Sequence, residues 1–210
     1  YTLIMNAHSV IKSFDEVPEG DGYTDTQKGY YGVALVYRAL AYMDLMRAWE
    51  YKRTGIPTMD GDADKKDLWG LTVNIVDEHT EYYRNNPRAP FYEMYRFILT
   101  DLNRAERLLA TYKRSGKNKP DLTVVYAYKA RLWLEIATRF QKDSESAFSK
   151  NDFQTMQSHE SDEALAKYDK LGVTSIQDCY KKAAEYASKA IAQGGYSPMT
   201  ETQWKDLDYG

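Results

Sequence analysis

The fold is decided by residues 24–49, which read TDTQKGYYGVALVYRALAYMDLMRAW. Thr24 with Gln27 three residues later has the pattern of a capping box, which predicts that a long helix begins here. Apolar side chains then recur at helical spacing in two adjacent rows, and a helix that is apolar on two sides is expected to lie between other helices. One row consists of Tyr30, Ala34, Tyr37, Ala41, Leu45 and Ala48, and the other of Leu35, Ala39, Met43 and Met46.

Three later stretches have the periodicity of amphipathic helices, and the first of them begins at Pro90, a residue favoured at a first helical position. Small alanines recur along all four helices and allow close approach, as in arrays of paired antiparallel helices. The sequence therefore predicts an all-α fold of tetratricopeptide-like helix pairs with long loops. The predicted pairs are about 24–50 with 90–113 and 121–140 with 175–193; Arg96, Asp101, Arg104 and Arg107 are expected outside the buried face.

The segments between these helices are polar. Residues 1–23 are expected to hold the end of a helix followed by a loop. Residues 51–90 form a connection of a length that is uncommon in a compact domain unless it has a function. Within it, residues 71–75 alternate in polarity and predict a short extended piece. Residues 141–174 are expected to form a surface insertion, with a helix within 160–170.

Composition excludes several classes of function. There are 28 Lys and Arg against 31 Asp and Glu, so a net charge of −3 gives no reason to expect nucleic acid. No run of about 18 apolar residues is present to span a membrane. Cys179 is the single cysteine, which excludes an intramolecular disulfide and a cysteine zinc cluster. The chain starts without methionine, and we expect a fragment of a larger protein, 1–210 being one helical domain whose targeting signal has been removed.

No residue pattern predicts a metal or a cofactor. Asp60, Asp62 and Asp64 alternate as calcium ligands do, but the glycine and glutamate of an EF-hand loop are missing, so a solvated acidic turn is favoured. The histidines lack the close helical spacing of zinc sites and are expected to be ordinary surface or loop residues. They are His8, His79 and His159.

Catalytic patterns are also weak. A glycosidase needs two carboxylates held across a bond on a rigid scaffold, whereas Asp77, Glu78 and Glu81 lie in the long connection. No Gly-rich phosphate loop or nucleophile elbow occurs, and Cys179 adjoins the buried positions of its helix and is expected to be inert. We therefore predict that the protein is not an enzyme.

The chain is rich in aromatic residues, with 19 tyrosines, and most of these are expected to fill gaps between helices. Trp49 and Trp133 lie on apolar helical faces and are predicted to be core. Trp69, beside Gly70 in the polar connection, is the best candidate for stacking on a sugar ring; it can equally serve to pin the loop onto the helices. The other candidate ligand-binding residues are Tyr51, Tyr82, Tyr83, Asn85 and Asn86.

Four blocks, in order, resemble the SusD/RagB-like family. Residues 35–47, LVYRALAYMDLMR, with GIP at 55–57, resemble its first signature, and PRAPFYEMYRFILTDLNRA at 87–105 resembles the second. The third and fourth are TVVYAYKARLWL at 123–134, and YKKAAEYA at 180–187 with GGY at 194–196. Together these blocks extend over about residues 24–200.

The resemblance implies a surface-exposed outer-membrane lipoprotein of Bacteroidetes that captures glycans and delivers them to a TonB-dependent, SusC-like transporter. It implies that this chain is the amino-terminal helical portion, and that the lipid anchor and much of the ligand site lie outside it. The alternative left open by the residues is a tetratricopeptide-type protein-interaction scaffold with no sugar site of its own.

Overall fold

The computed structural model describes residues 2–14, 22–78, 80, 85–116, 118–145, 152–194 and 199–206. Within these ranges the chain is helical and the extended segments form only an isolated antiparallel bridge, so the predicted all-α class is confirmed. The helices are α1 (Thr2–Lys12), α2 (Asp25–Trp49), α3 (Pro57–Lys65), α4 (Phe91–Leu108), α5 (Leu122–Glu145), α6 (Asp152–Ser158), the 3₁₀-helix η1 (Glu163–Leu165), α7 (Ile176–Gly194) and α8 (Glu201–Lys205).

Helix α2 begins as predicted. The Gln27 N–H donates to the Thr24 hydroxyl over 3.3 Å, and the Thr24 N–H donates to the Gln27 side chain over 2.9 Å, which completes the capping box. Of the two apolar rows, the one through Leu35, Ala39, Met43 and Met46 is fully buried. The other row is only partly covered, since Tyr30 at its start is 54% exposed. The row that is buried is the one that faces α1 and α4, the two helices that pack against α2.

Glycines on α2 allow α4 and the residues after it to approach closely. A Cβ atom on Gly32 would lie 2.6 Å from Cγ of Leu109, and one on Gly29 would lie 2.4 Å from Cδ2 of Tyr112. Both distances are shorter than van der Waals contact. Glycine at these two positions therefore allows the close separation of the first helix pair. Its low helix propensity makes α2 itself less stable than alanine would.

The predicted helix pairs are confirmed: α2 packs with α4, and α5 packs with α7. Trp133 on α5 is buried in the core, as predicted, and Cys179 on α7 is buried there too. Burial raises the pKa of the Cys179 thiol to about 11, which keeps it protonated and unreactive.

Helix α1 covers one side of α2 with Ile4 and Ile11, both fully buried. The expectation that His8 is a surface residue is wrong, because its side chain lies in the same interface and is almost inaccessible. Burial lowers the pKa of His8, and the nearby charge of Arg38 lowers it further. The imidazole is therefore favoured in its neutral form.

Residues 152–173 contribute to the core, which corrects the expectation of a surface insertion for this part of 141–174. The physical reason is that the segment folds back on α4 and α5 and buries its few large apolar residues against them. The predicted helix within 160–170 is reduced to the single turn of η1. The buried side chains are Met156, Leu165, Tyr168, Leu171 and Val173.

Arg96 on α4 holds this segment in place. The expectation that it lies outside the buried face is wrong, because its side chain is buried among backbone carbonyl groups. Its guanidinium donates to the carbonyls of Leu165 at 2.7 Å and Tyr168 at 2.8 Å, and to those of His159, Glu160 and Asp169 at 3.2–3.5 Å. One side chain thus satisfies the carbonyl oxygens of a segment that has little regular secondary structure.

A second buried arginine, Arg38 on α2, joins the first helix pair to the long connection. It forms a two-pronged ion pair with Asp101 of α4, with both N···O distances 2.7 Å, and its third nitrogen lies 2.6 Å from Glu78. Arg104 donates to the other oxygen of Glu78 over 2.7 Å. Asp101 was expected on the exposed side of α4; it is buried because this guanidinium is buried opposite it.

We expect Arg96→Met to loosen residues 159–169 without unfolding the helix pairs. The carbonyl groups that Arg96 satisfies would lose their donors, which should lower the free energy of unfolding by ~3 kcal/mol. Hydrogen exchange should show faster exchange at Tyr168, Asp169 and Leu171, with the α2 amides as the internal control. Unchanged exchange in this segment would contradict the role assigned to Arg96.

We expect Arg38→Met to lower the free energy of unfolding by about 3–5 kcal/mol, because it leaves Asp101 buried without its partner and leaves Glu78 with Arg104 alone. Chemical denaturation measures this. The control is Arg131→Met, which removes an exposed pair with Asp44 at 2.9 Å and should cost under about 1 kcal/mol. Equal losses in the two variants would show that the buried network does not stabilise the fold.

Candidate functional site

The long connection between α2 and α4 is fixed by backbone hydrogen bonds to itself. The Tyr51 N–H donates to the Leu71 carbonyl and the Gly70 N–H donates to the Tyr51 carbonyl, both over 3.0 Å. The Thr72 N–H donates to the Ala89 carbonyl over 2.8 Å, and the Ala89 N–H donates to the Val73 carbonyl over 3.0 Å. The predicted extended piece at 71–75 therefore exists as a short pairing, and it brings residues 49–53 beside 69–72 and 88–89.

Helix α3, which the sequence did not reveal, occupies the first part of this connection. Asp60 accepts hydrogen bonds from the N–H and hydroxyl of Thr54 and from the Gly55 N–H, at 2.7–3.0 Å, and the bonds from Thr54 lower the pKa of Asp60. The expected acidic turn is thus a helix. Its carboxylates at alternate positions point in different directions, since neighbours on one helical face are three or four residues apart. Asp60, Asp62 and Asp64 cannot converge on one ion.

Trp69 is partly buried and has contacts on two sides. Its indole N–H donates to the Asp64 carboxylate over 2.6 Å, and the guanidinium of Arg53 lies 4.4 Å from the ring centroid. The following Gly70 has φ +73°, and a Cβ there would lie 2.8 Å from Phe91. These contacts pin the loop, which is the second of the two roles considered for Trp69; a role in ligand binding stays a prediction.

Tyr51 is more accessible, at 37% exposure, and stacks on Arg88, whose guanidinium carbon lies 4.9 Å from the ring centroid. One nitrogen of Arg88 donates to the carbonyl groups of Trp49 and Thr72, over 3.0 and 2.8 Å. Arg88 therefore links the end of α2 to the pairing at Thr72. The Tyr51 ring is held in place while part of it remains open to solvent.

Trp49 is not a core residue, which corrects the prediction from its helical position. It is the last residue of α2 and is 59% exposed. Its spacing from Met46 continues the buried row, but the helix ends there and none of the described helices covers the indole. Ile56 and Met59 on the same connection are also exposed. We call Trp49, Tyr51, Arg53, Trp69 and Arg88 the aromatic–arginine surface.

Sequence reasoning missed three of these five residues. Trp49 was assigned to the core, Arg53 lay in no motif, and Arg88 lay in the second family block but was not considered as a binding residue. A usable signal for Arg53 was its closeness in sequence to Tyr51. Stacking of guanidinium on aromatic rings is common wherever both occur at the surface.

The remaining candidate residues are not brought to this surface by any described contact. Tyr82 and Tyr83 lie outside the described residues. Asn85 is exposed, with φ +63°, a conformation that asparagine tolerates, and Asn86 is partly buried. Their role in binding stays a prediction.

The carboxylates considered for catalysis have other roles. Glu78 is buried in the ion-pair network; burial opposes its ionisation, but the charge of Arg38 and hydrogen bonds from Arg104 and Arg38 lower its pKa to about 2. Asp77 lies near Lys167, with an N···O distance of 3.6 Å, and accepts from the Tyr168 hydroxyl over 3.4 Å. Glu81 and His79 lie outside the described residues.

Other features of the described ranges are less suited to a ligand. There, no group of three or more His, Cys, Asp or Glu side chains could hold a metal ion. His159 stacks on Tyr92 with 4.2 Å between the ring centroids. A cleft of about 210 Å³ opens between α2 and the start of α5, lined by Tyr37 and Tyr128 among others. It is smaller than the ~300 Å³ at which ligand pockets usually begin.

The helix pairs and the surface on their connection define an all-α protein of tetratricopeptide-like architecture with a candidate binding surface on a loop. The model of the SusD-like family, described as "Starch-binding associating with outer membrane", matches residues 1–134. The chain therefore belongs to the SusD-like family. No curated protein matches it significantly.

Solved structures share this fold. A SusD-like carbohydrate binding protein from Bacteroides vulgatus is 21% identical, with a TM-score of 0.60 over 98% of this chain and 32% of its own. A SusD superfamily protein from Bacteroides thetaiotaomicron is 14% identical, with a TM-score of 0.61 over 99% and 34%. The chain thus spans about a third of the length of these structures. Along its described ranges, every helix is too short or too polar to cross a lipid bilayer.

We expect the free energy of unfolding to fall as pH drops from about 5 to 2, in part because of Glu78. Its pKa is lowered from 4.5 to about 2 on folding, so its contribution is present above pH 4.5 and lost as the pH falls through the folded value. That difference corresponds to ~3 kcal/mol. Denaturation at several pH values should show a weaker decline in Glu78→Gln.

The control for this pH dependence is Glu163→Gln, since Glu163 is exposed on η1 and lies outside the ion-pair network of Glu78. Its decline between pH 5 and 2 should match that of the wild type. A Glu78→Gln variant with the full wild-type decline would contradict the assignment of the low pKa.

Proposed function

We propose that the protein captures glycans at the cell surface, without catalysis, and delivers them to a TonB-dependent transporter of the outer membrane. The observation that carries the proposal is the aromatic–arginine surface, which exposes Trp49 at the end of α2 and part of Tyr51 on the connection that backbone pairing fixes. Membership of a family described as starch-binding and a structural neighbour described as carbohydrate binding support the same function.

The proposed mechanism is stacking combined with hydrogen bonding. The apolar face of a sugar ring would lie on the exposed indole of Trp49 or the phenol of Tyr51, because C–H groups of the sugar are attracted to an aromatic face. Arg53 and Arg88 would donate to the hydroxyl groups at the ring edge. Each such contact is weak, and adjacent repeats of one polymer would raise the apparent affinity.

Partners and location belong to the same proposal. The family description places its members with the outer membrane, which supports a surface lipoprotein anchored through a segment outside this chain. A SusC-like transporter is the proposed receiving partner. Since the solved neighbours are about three times longer than this chain, the ligand site of the whole protein is proposed to include residues from the remaining portion.

The state of the carboxylates supports a protein that binds without catalysis. A glycosidase general acid must keep its proton near neutral pH, which requires a raised pKa. Glu78 has its pKa lowered to about 2 by Arg38 and Arg104 and would remain ionised. It is also buried in the ion-pair network, away from any substrate.

The second candidate is a protein-interaction scaffold. It is supported by exposed apolar side chains on the α5–α7 pair, Leu134 and Ile191, the latter 74% exposed. In that case the helical face would bind a protein partner and the aromatic–arginine surface would have no ligand.

We expect Trp49→Ala and Tyr51→Ala each to weaken glycan binding about tenfold, ~1.4 kcal/mol, because each removes a stacking face. Trp69→Ala tests the remaining candidate of this surface. A glycan array on the full-length soluble protein would identify the ligand, and calorimetric titration would measure the change, with helicity checked by circular dichroism.

The matched control is Trp204→Ala, which removes an indole of α8 that is 77% exposed and has no described contact with this surface. It should bind as the wild type does. Binding that all the variants retain would place the site in the remaining portion of the protein. No binding to any glycan would favour the scaffold.

A further inference from the structure

Arg88 is a surface cation held in a fixed position, and its recorded partners are an aromatic ring and two carbonyl groups. Its guanidinium stacks on Tyr51, and only one of its nitrogens is engaged, by the carbonyls of Trp49 and Thr72. Among the described residues no carboxylate lies within ion-pairing distance of it. Within the described ranges its other nitrogens make no hydrogen bond, and the side chain is already held in place by these contacts.

Arg53 and Lys52 add positive charge to the same surface. The side chain of Arg53 is 34% exposed and stacks on Trp69, with one nitrogen 3.3 Å from Asp64. Lys52 is exposed, and its nearest described carboxylate is that of Glu50, at 3.4 Å. Both cations therefore face solvent on the strand-like segment that carries Tyr51.

The carboxylates near these cations are occupied by other groups. Glu50 is buried and paired with Arg139 on α5. Asp60 accepts the N–H groups of Thr54 and Gly55, and Asp64 is shared between the indole of Trp69 and Arg53. The charge closest to the Tyr51 ring is thus the positive charge of Arg88, whereas at Trp69 the charges of Arg53 and Asp64 offset each other.

We propose that the aromatic–arginine surface selects anionic sugars, those that carry a carboxylate or a sulfate ester. This inference rests on the proposed function, since it specifies the class of glycan that the same surface binds. One sugar ring stacks on Tyr51 or Trp49, and its anionic group accepts hydrogen bonds from the free nitrogens of Arg88. Arg53 is placed to bind the anionic group of a neighbouring residue in the polymer.

Guanidinium groups suit this task because of their shape. A planar fork of N–H donors matches the two oxygens of a carboxylate or a sulfate, which a neutral hydroxyl group cannot do. Stacking on an aromatic ring leaves the edge of the guanidinium free to donate. A neutral glycan has no anionic group to accept from the guanidinium of Arg88 that is held at this surface.

The test compares oligogalacturonate with the same oligomer after methyl esterification, which removes the charge and keeps the backbone. We expect the full-length protein to bind the acid at least tenfold more tightly at low salt, with the difference shrinking as salt is raised. A sulfated galactan oligomer and its desulfated form provide the arm for sulfate. Preference for the charged member of either pair supports the proposal.

Substitutions test which residues cause the preference for the charged oligomer. Arg88→Gln should abolish most of the preference, because the affinity for the charged oligomer should fall much further than the affinity for the neutral one; Arg88→Lys, which keeps the charge without the fork, should be intermediate. Arg131→Gln, at an exposed arginine on α5, is the matched control and should change nothing. Thermal unfolding of each variant checks that it is folded. The salt dependence of the preference is measured on the wild type and tests the proposal even if a variant fails to fold.

The outcomes separate the two proposals. Equal binding of charged and neutral oligomers overturns the selection of anionic sugars and leaves glycan capture standing. An Arg88→Gln variant that keeps the full preference overturns the role of this surface in it. No binding to any glycan overturns glycan capture and the selection together.

Discussion

The structure depends on one buried ion pair, that of Arg38 with Asp101, and on its extension to Glu78. Removing these charges from water costs several kcal/mol for each ion, and only the complete set of partners offsets that cost. Two of the three residues lie on the paired helices α2 and α4, and the third lies near the far end of the connection. The helix pair and the connection are therefore coupled. If either moved away, a buried charge on the other would lose its ion-pair partner.

This coupling determines how the candidate surface is presented. At one end of the connection Glu78 is held by the network, and Tyr42 of α2 donates to the Val76 carbonyl and accepts from the Val76 N–H. At the other end the backbone of Tyr51 pairs with Gly70 and Leu71. Tyr51 lies at one of these attachments and Trp69 lies between them, on a connection whose two ends are both fixed to the helices. A surface ordered before binding loses less conformational entropy when a ligand arrives, which matters where each contact is weak.

Helical periodicity predicted the long helices, their pairing and the all-α class, because burying an apolar row is the main contribution to their stability. The same reasoning failed for Arg96 and Asp101, whose burial depends on partners more than 60 residues away in sequence. It failed for Trp49 because the spacing continues to the last residue of α2, where no neighbour covers the row. The core residues of 152–173 were missed because they lie in turns, and turns have no period to detect.

The arginines of this protein differ in how fully their donors are used, and that difference separates scaffold from binding surface. Arg38 meets two carboxylates, Arg139 meets Glu50 and Asp152, and Arg96 meets the carbonyls of a whole segment. Arg38 and Arg96 are buried and Arg139 is largely covered, and a guanidinium removed from water must be satisfied in this way or its desolvation is not offset. Arg88 shares the stacking and the carbonyl bonds but uses a single nitrogen for them, and it lies at the surface. Those bonds help to fix the connection beside Tyr51, and the donors that they leave over, among the described contacts, are the ones that recognition of an anion would use.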